Sequence, residues 1–457
     1  MAANTGTGAR MQLMAIGPQD KYVLDASDSG IFFFKTQFKR ATRFATDTAT
    51  IAPNPDARWG SSTTVPIPIA ADVLGGVFLE VRLPVLPHAH PDDRWARNLG
   101  YLVVRRCKVM WRDLLVFDEE RLWTFVKDAL FSSCPKEKRD AMMGNGGTLK
   151  TSETHVIHIP IPGPWSASSA SSPSNSSRWF PLVTMPNTVF TLSLDLEDLP
   201  TCVSLASRSS ETATYASPLT LNVTSVPGTL AMDDGTFVTV GHAGTVRLPR
   251  PWSAVAYRGV SIVTSETFVP TPETMDTKVH FEVAYLDDDE RRLMARVPVP
   301  VFVDAAQDTE VRIAPEDTGT ARLDFSEVNA SVRALVWMAY PELPSTAFDF
   351  VTSRLLEEAT ISLNHTDLIE PRPTPYFSLV GSSPHRYLAN VCVHAFAIDP
   401  APFSQPSGSV DFSRAKRPSV VARLRDDRPT DQVFLLKGFA MTRRLLVAHN
   451  SQLTIAR

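Results

Sequence analysis

Apolar and polar side chains alternate with a period of two along much of this chain. In VFLEVRL, Val77, Leu79, Val81 and Leu83 share one face. In VFTLSLDLE, Phe190, Leu192, Leu194 and Leu196 point one way, while Thr191, Ser193, Asp195 and Glu197 point the other. VHFEVAYL repeats the pattern with Val279, Phe281, Val283 and Tyr285. Successive side chains of a strand face opposite sides, so each run predicts a half-buried strand of an antiparallel sheet with one wet face. Two runs, VRALVWMAY (Val332 to Tyr340) and VCVHAFAI (Val391 to Ile398), are apolar on both faces, as strands deep inside a sandwich would be.

Helical spacing stands out in one segment only. In FDEERLWTFVKDALFSS, Leu122, Phe125, Val126, Ala129 and Leu130 recur at helical intervals. Asp118 is the expected N-cap, with Glu119 and Glu120 at the positive end of the helix dipole. Many short strands separated by Pro, Ser and Asp turns, with one helix among them, predict an all-β protein built of sandwiches or jelly rolls. The tract WSASSASSPSNSSRW (Trp165 to Trp179) has few groups to bury and reads as a surface loop. The Pro- and Asp-containing stretch 295–319 is the expected junction between two β domains.

Length and composition agree with this picture. The chain has 457 residues, 43% of them hydrophobic and 21% charged, enough for two or three domains with real cores. Its 36 prolines against 21 glycines, without a repeating period, point to rigid loops and edge strands. The formal net charge of −4 lacks the basic excess of a nucleic-acid coat, so no direct nucleic-acid binding is expected. Cys107, Cys134, Cys202 and Cys392 are widely spaced, with no CxxC pair, and read as reduced thiols. The N-terminal residues lack a signal-peptide layout, and no stretch approaches the ~20 apolar residues of a membrane span; the expectation is a soluble protein made in a reducing compartment.

The search for reaction chemistry returns no catalytic, cofactor-binding or metal-binding residues. GxGxxG, P-loop, HExxH and GxSxG motifs are all missing. His155 and His158 are three apart in an expected strand and so face opposite sides. His88 and His90, with Asp92 or Asp93, could chelate a metal, but LPHAHPDD reads better as a solvated loop. DDDERR (Asp287 to Arg292) reads as a strand-ending turn stitched by Asp–Arg pairs rather than a cation loop. Four N-x-S/T sequons, at Asn175, Asn222, Asn329 and Asn364, are expected to stay unmodified without a secretory signal. SRAKRPSVVARLRDDR, with its interspersed aspartates, reads as a solvated surface. QPSGSVDFSR (Gln405 to Arg414) reads as a turn at Pro406 and Gly408 feeding a strand with Val410, Phe412 and Arg414 on one face.

Four stretches in order resemble the major capsid protein family of the nucleocytoplasmic large DNA viruses. MQLMAIGPQDKYVLDASDSGIFFFKTQFKRATRFA is similar to the family's opening, matched at Gln12, Leu13, Gly17, Gln19, Asp20, Tyr22, Phe33, Phe34, Lys35, Arg40, Thr42, Phe44 and Ala45. EVAYLDDDERRLMA resembles a family strand end at Tyr285, Leu286, Asp287, Asp289, Glu290, Arg291 and Arg292. VRALVWMAYPE resembles another strand through Leu335, Val336 and Trp337, and QPSGSVDFSR departs from the family's version only at Asp411. Three segments differ: VMWRDLLVFDEE replaces an Ile-Gly-Gly turn, HVIHIPIPGPW and the serine tract replace an aromatic-rich strand, and about Leu199 to Lys278 is longer, as if carrying a β-rich insertion.

The resemblance implies two consecutive eight-stranded antiparallel jelly rolls, the usual strand count of that architecture, with one short helix and long loops. The expected divisions are an N-terminal arm (1–24), a first roll with an inserted β-rich region (25–297) and a second roll (298–457). It also implies a non-enzymatic virion protein, made in the host cytoplasm, whose homotrimers form pseudo-hexagonal tiles of an icosahedral shell. Neighbouring capsomers and minor capsid proteins would be its partners, with an internal viral membrane nearby. A minor capsid or scaffold-type paralogue and a carbohydrate-binding β-sandwich used for attachment remain as alternatives.

Overall fold

The computed structural model describes residues 43–456 except 69, 87–93, 133, 166–178, 186–188, 205–212, 216–218, 224–227, 232–236, 241–243, 249–251, 255–273, 318, 342–354, 382–385, 401–406, 428–432 and 450–451. The arm 1–24, most of the opening family stretch, His88, His90, Asp92, Asp93, Asn175, Pro406 and the body of the serine tract lie outside the described residues.

Eight strands make the first roll: β1 (Phe44–Ile51), β2 (Ser62–Pro66), β3 (Val73–Leu83), β4 (Val104–Trp111), β5 (Leu114–Glu120), β6 (His155–Pro160), β7 (Phe190–Leu196) and β8 (Asp276–Leu286). They form two four-stranded sheets in the orders β1-β8-β3-β6 and β2-β7-β4-β5. The second roll holds β9 (Val299–Ile313), β10 (Thr320–Asp324), β11 (Ser331–Pro341), β12 (Leu356–Leu363), β13 (Thr366–Pro373), β14 (Val391–Ala395), β15 (Ser419–Leu424) and β16 (Phe434–His449). Its sheets run β9-β16-β11-β14 and β10-β15-β12-β13, the first roll's order with eight added to every label. The chain is thus a double jelly roll, and a single topological recipe is used twice.

Alternation explains each core. Val77, Leu79, Val81 and Leu83 of β3 meet Phe190, Leu192, Leu194 and Leu196 of β7 inside the first roll. Leu335 and Trp337 of β11 meet Ile361, Val420 and Phe377 inside the second, with the Trp337 and Phe377 rings 5.0 Å apart. Tyr285 departs from its expected inward position and is exposed, while Ala284 is buried. The cause is local: the β3–β8 register slips after Glu282, where the pairing passes over Gly75, and the alternation ahead of it fails.

Between β7 and β8 the chain makes a nested antiparallel arm. Residues 213–215 pair with 252–254, 219–223 with 244–248, and 228–231 with 237–240. These pairs lie within the stretch Leu199 to Lys278, whose last residues, Asp276 to Lys278, already belong to β8. Trp165 and Trp179 bracket the serine tract. The Trp165 indole is buried and donates to the Ile161 carbonyl at 3.1 Å, and the Trp179 ring occupies the space that a side chain at residue 75 would need.

The expected single helix has company. Among the described residues the α-helices are α1 (Leu99–Val103), α2 (Arg121–Phe131), α3 (Lys136–Met143) and α4 (Asp288–Arg296). α2 is the one read from spacing, but its N-cap is Glu120 rather than Asp118, whose carboxylate takes two 2.6 Å hydrogen bonds from Arg106 on β4. DDDERR opens α4 instead of a turn: Asp288, Asp289 and Glu290 fill its first turn and Arg296 its last, matching the helix dipole at both ends. The Asp–Arg stitching is real, with Arg291 also donating to the buried Asp72 at 2.7 and 2.9 Å. Strand β9 occupies most of the stretch 295–319 expected to be a junction.

QPSGSVDFSR builds shape, as expected, but its strand is short. Val410 and Asp411 pair with Val332 and Ser331, after which the chain turns and leaves Arg414 exposed. Gly408 has φ 133°, and an added Cβ would lie 3.2 Å from the Phe396 carbonyl oxygen, so glycine is required. Asp411 accepts from the Ser413 amide at 3.0 Å and hydroxyl at 2.6 Å, a role asparagine can fill. Phe412 is 2% exposed, with the Phe325 and Phe396 rings 6.5 and 5.8 Å away. Phe412→Ala is expected to cost about 3–5 kcal/mol, and Asp411→Asn to leave thermal unfolding unchanged. Equal midpoints for both variants in a melting experiment would contradict this placement.

Candidate assembly surfaces

The junction between the rolls is built by α2. Its Trp123, Val126 and Leu130 pack on Ala334, Val336 and Met338 of β11, Val391 and Val393 of β14, and Phe439 and Met441 of β16. The Trp123 and Phe439 rings are 5.0 Å apart. These residues form the outward face of the sheet β9-β16-β11-β14, whose other face lines the second core. VRALVWMAY is apolar on both faces for this reason: one face lies inside a sandwich, and the other lies under a helix from the first roll.

α2 is also fixed to its own roll. Lys127 donates to both oxygens of the buried Glu119 carboxylate at 2.6 and 2.7 Å, and the Thr124 hydroxyl adds a bond at 2.8 Å. Burial pushes the Glu119 carboxyl above its usual range, opposed by the Lys127 charge. Burial likewise raises Asp128, which accepts from the Tyr101 hydroxyl at 3.2 Å, while Arg139 holds the Asp128 carbonyl at 2.7 Å.

Charge closes the edge of the junction. Lys437 of β16 is 7% exposed and sits 2.6 Å from Glu120, at the start of α2, and 3.1 and 3.7 Å from Asp308 and Glu310 of β9. Desolvation disfavours its ammonium, but the Glu120 hydrogen bond and the surrounding carboxylates outweigh that and raise its pKa. Toward the other end of the same sheet, the buried Arg333 donates to Asp304 at 2.5 Å and to the Pro400 carbonyl at 2.6 Å. A second joint lies lower down, where Val301 and Val303 of β9 and Leu446 and Ala448 of β16 enter the first roll's core.

His155 and His158 face opposite sides of β6. His155 lies on the Ile157 side of β6 and meets the Lys150 carbonyl at 3.0 Å, while His158 faces out, 3.7 Å from Glu80. His280 lies 2.9 Å from the same Glu80 and 3.0 Å from the Thr50 hydroxyl. Among the described residues no group of three His, Cys, Asp or Glu side chains could hold a metal ion. The four cysteines are free and buried; burial alone pushes Cys392 up to about 12. Asn329 is exposed, whereas the Asn364 side chain accepts from the Lys416 amide at 2.7 Å in the β12–β13 turn. In the basic stretch Arg423 pairs with Glu357 and Glu358, and Arg425 with Asp427. A cavity of about 20 Å³ beside Glu119 and Tyr101 has room for about one water molecule.

Helical spacing does not mark Trp123, which lies off the stripe Leu122, Phe125, Val126, Ala129 and Leu130, and strand alternation does not mark Lys437. The signal for Lys437 was present in FLLKGFAM: a lone lysine in an apolar strand needs a buried acid.

Comparison with known proteins agrees with this architecture. Residues 32–233 match the family model described as the major capsid protein N-terminus. Capsid protein 1 of Acanthamoeba polyphaga mimivirus is 28% identical over 109 residues, 22% of this chain and 18% of that protein, so the match spans well under two thirds of the relative. The PBCV-1 VP54 crystal structure, fitted into a cryo-EM reconstruction of the virophage Sputnik, superposes with TM-score 0.65 at 16% identity, covering 93% of this chain and 100% of that one. The Faustovirus major capsid protein gives TM-score 0.58 at 10% identity, over 97% and 98% of the two chains. At such identities the structural likeness is one of fold, and that fold is the double jelly roll of capsid proteins. The chain is thus similar to major capsid proteins over residues 32–233 and shares their fold over nearly its whole length.

The Glu120–Lys437 contact has a measurable consequence. A double-mutant cycle of Glu120→Gln and Lys437→Met is expected to give a coupling of about 0.5–3 kcal/mol in unfolding, toward the lower end because Glu120 is partly solvated. Strict additivity would mean that the pair does not hold the junction.

Proposed function

We propose that this chain is a structural subunit of a virion shell, assembling as a homotrimer whose six sandwiches make a pseudo-hexagonal tile of an icosahedral capsid. The observation that carries this reading is the doubled strand order, in which two sandwiches of one recipe sit side by side in one chain. Three copies related by a rotation would place six similar blocks in a ring, and identical contacts between copies would close it. Its work is assembly: apolar strand faces make rigid blocks, and contacts between blocks join them. Neighbouring tiles and minor capsid proteins are the partners of that assembly, and the virion is its location. The mimivirus relative's description as a capsid protein supports the same reading.

Native mass spectrometry of the purified chain at micromolar concentration tests it. The expected species is a trimer of about three times the 50.3 kDa chain mass. A monomer alone would contradict the proposal.

A further inference from the structure

Four side chains, one from each strand, cross the outward face of the sheet β1-β8-β3-β6 in a single polar line. The Thr50 hydroxyl on β1 lies 3.0 Å from Nδ1 of His280 on β8, and Nε2 of that ring lies 2.9 Å from Oε2 of Glu80 on β3. Nε2 of His158 on β6 lies 3.7 Å from the same carboxylate oxygen. His158 is the direct cross-strand partner of Glu80, His280 reaches it diagonally, and the two imidazoles are 6.5 Å apart. The His280 and Glu80 side chains are 22% and 24% exposed, so water screens their contact only in part.

The line can take up a proton without losing a hydrogen bond. Neutral, the His280 ring donates through Nε2 to Glu80 and accepts at Nδ1 from the Thr50 hydroxyl; protonated, it donates at both nitrogens and the hydroxyl turns to accept. We propose that the line is a proton-loaded brace: in mild acid both imidazoles become cations held by the one Glu80 carboxylate, tying β8 and β6 to the central strand β3 more firmly than at neutral pH. This device acts within one chain and is independent of how copies assemble.

The charges around it leave that sign intact. Lys278 lies directly opposite Glu80 on β8, and Arg82 of β3 pairs with Asp276 of β8 at 3.7 Å. Glu282, whose carboxyl burial raises, lies over Gly76 rather than beside Glu80. Asp47 is the charged residue of β1 and takes the Thr48 amide at 2.7 Å, while the other titratable residue of β6, His155, is on the inward side. The His280 hydrogen bond holds the Glu80 carboxyl below its usual range, outweighing burial, so Glu80 stays charged in mild acid. A histidine that gains a carboxylate on folding contributes stability that is present in mild acid and lost as pH rises past the imidazole range of about 6–7. Without the carboxylate the sign reverses, because two cations would then face each other and Lys278 with no anion between them.

Melting midpoints of the full-length wild type and Glu80→Gln at about pH 5.5 and about pH 8 test this, with His158→Gln/His280→Gln as a background that takes up no proton. Glutamine keeps the size and reach of glutamate, so the fold is retained. Glu80→Gln is expected to lower the midpoint at both pH values, by roughly 2–4 °C more in acid than in base. That extra loss is expected to vanish in the double-histidine background, whereas the contribution of Lys278 is the same at both pH values and cancels. An equal loss at the two pH values, or an extra loss in acid that persists without the two histidines, would overturn the brace.

Discussion

The second roll's sheet β9-β16-β11-β14 is apolar on both faces, and everything else in the architecture follows from covering the outer one. A strand face carrying Ala334, Val336 and Met338 cannot be left in water without a large exposed patch. α2 covers it and belongs to the other roll, so burying that face also joins the two sandwiches. Trp123 is the centre of the contact, nearly fully buried against Phe439, and its loss is of the size that decides whether a domain is stable.

Polar groups fix the geometry of this joint. Lys437 emerges at the rim of the apolar patch, where Glu120, Asp308 and Glu310 converge on it from α2's start and from β9. Such a buried cation adds little net stability, but removing its carboxylates would strand the Lys437 charge in a dry place, so the arrangement specifies one docking of helix on sheet. Glu119 and Lys127 do the same on the first-roll side of α2. Together they make the two rolls a stiff block.

Much of this was legible in the sequence because strands announce themselves locally. The apolar positions of Val77 to Leu83 and Phe190 to Leu196 fall inward as their alternation requires, and the run from Val332 to Ala339 is buried on both faces. The failures share a physical origin in contacts made far along the chain. Tyr285 is turned out by a register slip set on β3, and Asp118 is drawn from its expected capping role by Arg106 on β4. α4 stays on the surface with no buried residue, so it lacks the apolar stripe by which helices are recognised and is held by Arg291 reaching Asp72. Trp123 faces the second roll together with Val126 and Leu130, so the buried face of α2 is wider than the stripe that spacing marks.

The central claim is that α2 makes the two rolls one cooperative unit. Scanning calorimetry of the full chain at a concentration low enough to dissociate any oligomer tests it most directly, by comparing the calorimetric and van't Hoff enthalpies. The account predicts a single transition with the two enthalpies equal in the wild type, and a split into two transitions when Trp123→Ala weakens the joint. Two separate transitions in the wild type, or an unsplit and unshifted one in Trp123→Ala, would contradict it.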